Sequence, residues 1–246
     1  MDTSYWTALN PNIIQLDTVK LMHGKYIHRM AVRAVGCSIL RHAQDVESAI
    51  ESRNANYKNY NWGGSWRRKP VTKEDATILK LIKEQIDHEE MSPRVRGMEQ
   101  IKIRIEEPDV QFYSTDIKSL AAIANSLQYG DNSHFISIMT PADKSHEKYL
   151  RDGFVLRKTK ISWPFRVLFR DGKYNQETKT QISNYLKNLG DHVKVPRNLW
   201  EQLERGAWIW GGYVYVQDKG LATMLGLIDG RLISKIEEFK VVGKTE

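Results

Sequence analysis

Hydrophobic and polar residues alternate along several short segments of the chain, which is the pattern of half-buried β-strands. In EQIKIRIEE, three isoleucines point to one side of a strand, and Lys102 and Arg104 point to the other. KYIHRMAVRAVG alternates in the same way and places Arg29 and Arg33 on one strand face. A later segment, FRVLFRDG, predicts a third strand with its own pair of arginines. Three predicted strands therefore each carry two cations on one face.

Segments with apolar residues at helical spacing lie between these strands. In TKEDATILKLIKEQIDHEE, a threonine and an aspartate three residues later approximate a capping box before an apolar helix face. Further helices are predicted to begin at Thr115 or Asp116 and at Asn175, residue types that favour the N-cap position. We interpret GLATMLGLIDGRLISKIEEF as the last helix, broken near Gly230.

The order of these elements predicts an α+β fold made of two antiparallel sheets, each backed by helices. A polar connection at residues 142–156 separates an N-terminal α+β domain, residues 1–141, from a C-terminal α+β domain, residues 142–246. Each half contains a Gly-Lys-Tyr triplet near a basic strand and a later Trp-Gly-Gly. A more specific prediction is a loosely duplicated ferredoxin-like arrangement. The spacing of these features differs between the two halves, so the sequence leaves the duplication open.

Composition narrows the class of protein. The chain has 246 residues, of which 41% are hydrophobic, enough for a substantial core. Apolar runs are too short for a membrane span, and the N-terminal segment lacks the pattern of a secretory signal. The single cysteine, Cys37, cannot form an internal disulfide, and we interpret it as a buried thiol. These features favour a cytoplasmic location.

Charge is unevenly distributed along the chain. The net charge is +5 over residues 1–70, −4 over residues 71–150 and +6 over residues 151–205, and the total is +7. Two basic segments on one face would attract a polyanion, whereas the same charges spread over the surface would only be solvated. The charge pattern therefore predicts a nucleic-acid partner, provided that folding brings the cations together.

Two Trp-Gly-Gly segments lie in different contexts. The first, NYNWGGSWRRKP, is predicted to be a loop between helices, in which two tryptophans beside three cations could hold a base against the phosphate backbone. The second, WIWGGYVYV, lies in a β-prone run, and we expect its aromatic residues to be core and its glycines to serve sheet geometry.

The leading hypothesis is a non-catalytic protein that binds DNA or RNA within a replication, transcription or RNA-processing assembly, with other protein subunits as further partners. The composition also suits a protein encoded by a phage or mobile element. We expect no cofactor, no metal site and no membrane partner, since the histidines and carboxylates have no recognised metal-ligand spacing. The predicted nucleic-acid-binding residues are Arg29, Arg33, Trp62, Trp66, Arg67, Arg68, Lys69, Arg166 and Arg170.

Two alternatives stay open from the sequence. A metal-independent endoribonuclease on ferredoxin-like folds could use His23 or His28 as general base, with Lys25 or Arg29 stabilising the phosphorane. A structural or assembly subunit, for example of a viral particle, would instead bury its aromatic residues against protein partners.

Overall fold

The computed structural model describes residues 3–59, 69–91, 101–205 and 208–243. The chain forms two compact units, Met1–Ala142 (unit 1) and Asp143–Glu246 (unit 2). Each unit contains one five-stranded sheet with helices packed on it, so the predicted α+β class is confirmed. Both sheets are mixed rather than wholly antiparallel, because one outer pair of strands in each is parallel.

Unit 1 consists of four helices and five strands in its described part, with a short 3-10 helix at Cys37–Arg41. Its elements in chain order are α1 (Thr3–Leu9), β1 (Ile14–Asp17), β2 (His28–Arg33), α2 (Val46–Asn59), α3 (Lys73–Met91), β3 (Lys102–Glu106), β4 (Asp109–Ser114), α4 (Ile117–Ser126) and β5 (Phe135–Thr140). The strand order across the sheet is β1-β5-β2-β4-β3. The Asp116 side chain accepts a hydrogen bond from the Lys118 N–H, so Asp116 is the N-cap of α4 as the sequence predicts.

The core of unit 1 lies on one face of this sheet. Met30 and Val32 of β2 and Phe112 of β4 are fully buried there, together with apolar residues of all four helices. Burial of these side chains is the main favourable contribution to folding of the unit. Because successive residues of a strand point to opposite faces, the residues between them lie on the other face of the sheet.

A carboxylate inside unit 1 joins two loops and a helix. Glu107 accepts hydrogen bonds from the N–H groups of Gly36 (2.8 Å) and Ser38 (2.9 Å), and it forms an ion pair with Arg53 of α2 at 3.0 Å. Burial alone would raise the pKa of Glu107, but these hydrogen bonds and the charge of Arg53 bring it below its ordinary value. Cys37 lies beside the same carboxylate, and burial followed by the charges of Glu107 and Asp109 raises the pKa of its thiol to about 12.

Unit 2 is built from four helices, a five-stranded sheet and a two-stranded ladder in its described part. Its elements are α5 (Lys144–Arg151), β6 (Val155–Arg157), β7 (Phe165–Phe169), β8 (Gly172–Lys173), α6 (Gln176–Asn188), β9 (Val193–Lys194), α7 (Arg197–Arg205), β10 (Trp208–Ile209), β11 (Tyr213–Val216), α8 (Lys219–Ile228) and β12 (Ile233–Val241). The large sheet has the order β6-β12-β7-β11-β9, and β8 pairs with β10. Asn175 caps α6 as predicted, since its side chain accepts from the Thr178 N–H.

The end of the chain differs from the sequence prediction. The predicted last helix ends at Ile228, and residues 233–241 form β12, which pairs with β7 on one side and β6 on the other. A β-bulge between Ile233 and Lys235 places Ile233 opposite Phe169 and Ile236 opposite Val167, two residues that both face the core. The bulge thus separates two core-facing isoleucines by three positions, a spacing that is typical of a helix.

The two units share one strand order. When only the five strands of each large sheet are counted along the chain, both sheets have the order first, fifth, second, fourth, third, with the same parallel and antiparallel neighbours. Unit 2 differs by its extra ladder and by α7, which is inserted where unit 1 has a direct hairpin between β3 and β4. The ferredoxin-like duplication stays a prediction.

Replacing Glu107 by alanine should destabilise unit 1 by roughly 3 kcal/mol, because Arg53 would be left as a buried charge without its main partner. The depressed pKa implies that this stabilisation is complete above pH 4.5 and is lost as the pH falls through the folded-state pKa. The measurement is the urea concentration at which the single cysteine becomes reactive to 4,4′-dithiodipyridine, at pH 7 and in acid.

The matched control is Glu106→Ala in the same hairpin, where an exposed ion pair with Arg104 contributes less than about 1 kcal/mol. Equal urea midpoints for the two variants at pH 7 would contradict the role assigned to Glu107.

Candidate nucleic-acid interface

Four cations lie on the face of the unit 1 sheet that is opposite the core. Arg29 of β2 pairs with Tyr113 of β4, which pairs in turn with Lys102 of β3, so the three side chains form a row on one face. Arg33 is four residues beyond Arg29 and Arg104 is two residues beyond Lys102, and even spacings along a strand keep side chains on the same face. Two basic pairs that are about 70 residues apart in the chain are thus brought together. We call Arg29, Arg33, Lys102 and Arg104 the basic face.

Two cations of the basic face already have acidic neighbours. The Arg33 Nε atom lies 3.2 Å from Asp109 Oδ1, and the Arg104 Nε atom lies 2.6 Å from Glu106 Oε1. Both arginine side chains are more than half exposed. Exposed ion pairs of this kind contribute roughly 0–1 kcal/mol, so a phosphate group can replace the carboxylate as partner at small cost.

A histidine and a tyrosine lie among these cations. The ring of His23 meets that of Tyr113 edge-on at a centroid distance of 4.7 Å, and Tyr26 lies 6.1 Å from the same ring. His23 lies in the left-handed region, φ 51°, within a turn closed by the hydrogen bond from the Tyr26 N–H to the Met22 carbonyl, 2.9 Å. The sequence pattern did not single out Tyr113, although its period-two spacing from Gln111 marks it as a residue of this face.

The surroundings of His23 lower its pKa and so favour its neutral form. Desolvation lowers its pKa first, and the charges of Lys102 and Arg104 lower it further, against an opposite effect of Glu106. Burial raises the pKa of Tyr113, so this hydroxyl stays protonated. The Tyr113 hydroxyl donates to Gln111 Oε1, and the Gln111 side chain donates to Glu106 at 2.8 Å. The basic face therefore combines fixed positive charge with an imidazole whose neutral form is favoured.

His28 has a different environment from His23. It is 6% exposed and lies on the core face of β2 with Met30, opposite the buried Ser114. Of the two histidines considered for a ribonuclease, only His23 lies beside the basic face.

The predicted binding loop falls mostly outside the described residues. Trp62, Trp66, Arg67 and Arg68 lie there, so their role stays a prediction. Lys69 is described and exposed, four residues before the start of α3.

In unit 2, Arg166 is held by a buried carboxylate. Its guanidinium donates to Glu237 Oε2 from Nε at 2.9 Å and also from Nη2, and the two side chains are 18% and 6% exposed. Arg166 also lies 5.8 Å and 5.7 Å from the ring centroids of Tyr213 and Phe239. Burial alone would raise the pKa of Glu237, but the hydrogen bonds and charge of Arg166 lower it. The charge of Arg166 is therefore largely compensated within the protein.

Arg170 lies beyond the strand on which the sequence placed it. β7 ends at Phe169, so Arg170 begins the turn that leads to β8, where it is exposed. Its N–H donates to the Leu232 carbonyl at 2.7 Å, and its carbonyl accepts from the Tyr174 hydroxyl at 2.8 Å. The backbone of this turn is thus fixed while the side chain reaches solvent.

The prediction that the second Trp-Gly-Gly is core is wrong for its tryptophans and right for its glycines. Trp208 and Trp210 are 47% and 60% exposed, and only Ile209 between them is buried. Gly211 has φ +56°, and a Cβ on Gly212 would come within 2.6 Å of Ile209 Cγ2. The glycines therefore serve close packing while the indoles point outward.

No protein-family model matches this chain, and no curated protein matches it. Of the helices in residues 3–59, 69–91, 101–205 and 208–243, none is long and apolar enough to cross a membrane. Within the same ranges, no group of three or more histidine, cysteine or acidic side chains is arranged to hold a metal ion.

Replacing Lys102 by glutamine should raise the pKa of His23, because one of the two positive charges that disfavour its protonation is removed. The measurement is an NMR titration of the histidine ring protons. Lys118→Gln on α4 is the control and should leave that pKa unchanged. An identical His23 titration in the wild type and in Lys102→Gln would show that the two groups do not interact.

Replacing Arg166 by alanine should destabilise unit 2 by roughly 3 kcal/mol, because Glu237 would keep a buried charge without its main partner. On the hypothesis that the protein binds nucleic acid, the salt dependence of that binding should stay the same. Arg170→Ala, at an exposed side chain, should change stability by less than about 0.5 kcal/mol. Thermal unfolding measures the first effect, and a stable Arg166→Ala protein that no longer binds nucleic acid would reverse this assignment.

Proposed function

We propose that this protein binds nucleic acid without altering it, as a component of a replication, transcription or RNA-processing assembly. The observation that supports the proposal is the basic face, where folding gathers four cations from β2 and β3. The total charge of +7 would add long-range attraction for a polyanion. A cytoplasmic location and an origin in a phage or mobile element are parts of the proposal that rest on sequence alone.

The dimensions of the basic face suit a short stretch of one phosphate backbone. Residues four apart on a strand, such as Arg29 and Arg33, are separated by roughly 13 Å, and β2 and β3, with β4 between them, are roughly 9–10 Å apart. At about 3.4 Å of axial length per charge on one strand, the longer of these dimensions spans roughly four phosphates. Arginine forks can hold phosphate oxygens through two hydrogen bonds, which neutral polar residues on a sheet surface cannot match.

A second contact, separate from the basic face, is proposed at residues 59–70. We propose that Arg67, Arg68 and Lys69 add phosphate contacts, and that Trp62 and Trp66 add stacking with bases. Lys69→Ala and Arg68→Ala should then weaken the salt dependence of binding, whereas Trp62→Ala should lower affinity with the salt dependence unchanged.

The test is a titration of labelled single-stranded and duplex DNA and RNA at several salt concentrations. Four phosphate contacts predict a slope of log K against log salt of about −3 on a single strand. Lys102→Ala and Arg104→Ala should each make that slope shallower by about 0.7, because each removes one phosphate contact.

Lys118→Ala is the matched control, because α4 packs on the core face of the sheet. Binding that does not depend on salt, or basic-face variants that keep the full slope, would refute the proposal.

A metal-independent ribonuclease is the second candidate, favoured by the position of His23 against Tyr113 and beside Lys102 and Arg104. A neutral imidazole can remove the proton of a ribose 2′-hydroxyl, and neighbouring cations can stabilise the charge that develops on the phosphorane. Such an enzyme should cleave RNA in EDTA, leave the matching DNA intact, and lose activity in His23→Ala. Intact RNA after long incubation with the wild type would exclude this candidate.

A further inference from the structure

We propose that Trp208 and Trp210 form a stacking platform for unpaired bases, so that unit 2 binds single-stranded polynucleotide in preference to duplex. This inference rests on the proposed function and specifies its substrate class. It concerns residues that the basic face does not include.

The two indoles are arranged as an exposed stack. Their ring centroids are 5.5 Å apart with an interplanar angle of 20°, and the side chains are 47% and 60% exposed. A flat ring cannot enter between two rings already in contact, but it can continue the stack on an outer face. Large exposed aromatic surfaces are unfavourable in water unless a partner covers them, and they mark binding sites.

Hydrogen bonds to the backbone fix the position of the stacking platform. The Gln202 side chain donates to the Trp210 carbonyl and accepts from the Trp210 N–H, both at 3.1 Å. Asp171 Oδ1 accepts from the Gly211 N–H at 2.6 Å, and Ile209 is buried beneath the tryptophans. Since these contacts fix the chain before any ligand arrives, little further ordering is needed on binding.

One cation borders the stack, and a second lies in the neighbouring turn. Lys173 of β8 is the ladder partner of Trp208 of β10, so the two side chains lie on the same face of that ladder. Arg170 is exposed in the same turn as Asp171, whose carboxylate contacts Gly211. Aromatic faces beside cations are the combination that proteins use to hold bases and the backbone of a single strand.

This chemistry favours single strands over duplex. Bases in a duplex are stacked on each other and paired, so their faces are not accessible to a protein side chain. Stacking also tolerates any base, because every base has a π-face. The indoles and their cations therefore fit an unpaired polynucleotide of any sequence, whose bases can stack on the indoles while its phosphates pair with Arg170 and Lys173.

The test compares the wild type with the double variants Trp208→Ala/Trp210→Ala and Trp208→Phe/Trp210→Phe. The alanine variant should lose about 10- to 100-fold in affinity for single-stranded oligonucleotides, with duplex affinity and the salt slope unchanged. The phenylalanine variant should retain most of the affinity, because a ring remains on each side chain. Circular dichroism checks that both variants are folded, and an oligonucleotide carrying 5-iodouracil should crosslink at residues 208–210.

The outcomes separate this inference from the proposed function. Salt-sensitive binding that is equal for the wild type and the alanine variant overturns the stacking platform and leaves nucleic-acid binding in place. A wild type that binds duplex more tightly than single strands also overturns the stacking platform and leaves nucleic-acid binding in place. An alanine variant with an altered oligomeric state in sedimentation and unchanged single-strand affinity assigns the indoles to a protein contact and overturns the inference. A wild type that binds none of the nucleic acids refutes the proposed function itself.

Discussion

The alternation of side chains along β2 is the constraint on which unit 1 depends. Met30 and Val32 are fixed toward the core by their burial, so Arg29 and Arg33 are fixed toward the opposite face. A slip of one residue would bury both arginines and expose the core side chains, so burial of the core fixes the register of the strand. The same alternation in β3 and β4 completes the basic face, so charge placement here follows directly from hydrophobic packing.

Unit 2 uses the same strand order with different chemistry on the corresponding surface. There the side of β7 opposite the core carries an arginine that a buried glutamate of β12 compensates, and aromatic rings lie beside the ion pair. Positive charge that could meet a ligand lies instead in the turn at Arg170 and on β8. Shared topology therefore does not imply shared binding surfaces, and function is to be argued for each unit from its own side chains.

The sequence predicts most elements and fails where local pattern and packing diverge. Strong alternation identified β2 and β3, and side-chain capping identified the starts of α4 and α6. The bulge of β12 imitates a helical spacing, so the sequence predicts a helix where the chain forms a strand. A two-residue strand has no periodicity that shows which side is buried, so the sequence wrongly predicts Trp208 and Trp210 as core. Glu237, the partner of Arg166, is 71 residues away in the sequence, so no local sequence pattern indicates this ion pair.

In both units the strand that is last in the sequence lies between the first two, as β5 does between β1 and β2 and β12 does between β6 and β7. The first two strands of a unit therefore cannot join until the rest of that unit has been synthesised. Assembly must bring together segments that are far apart in sequence, which is slow compared with hairpin closure. Until that insertion, the unpaired edges of β2 and β7 can pair with other chains, so the partly synthesised chain is prone to aggregation.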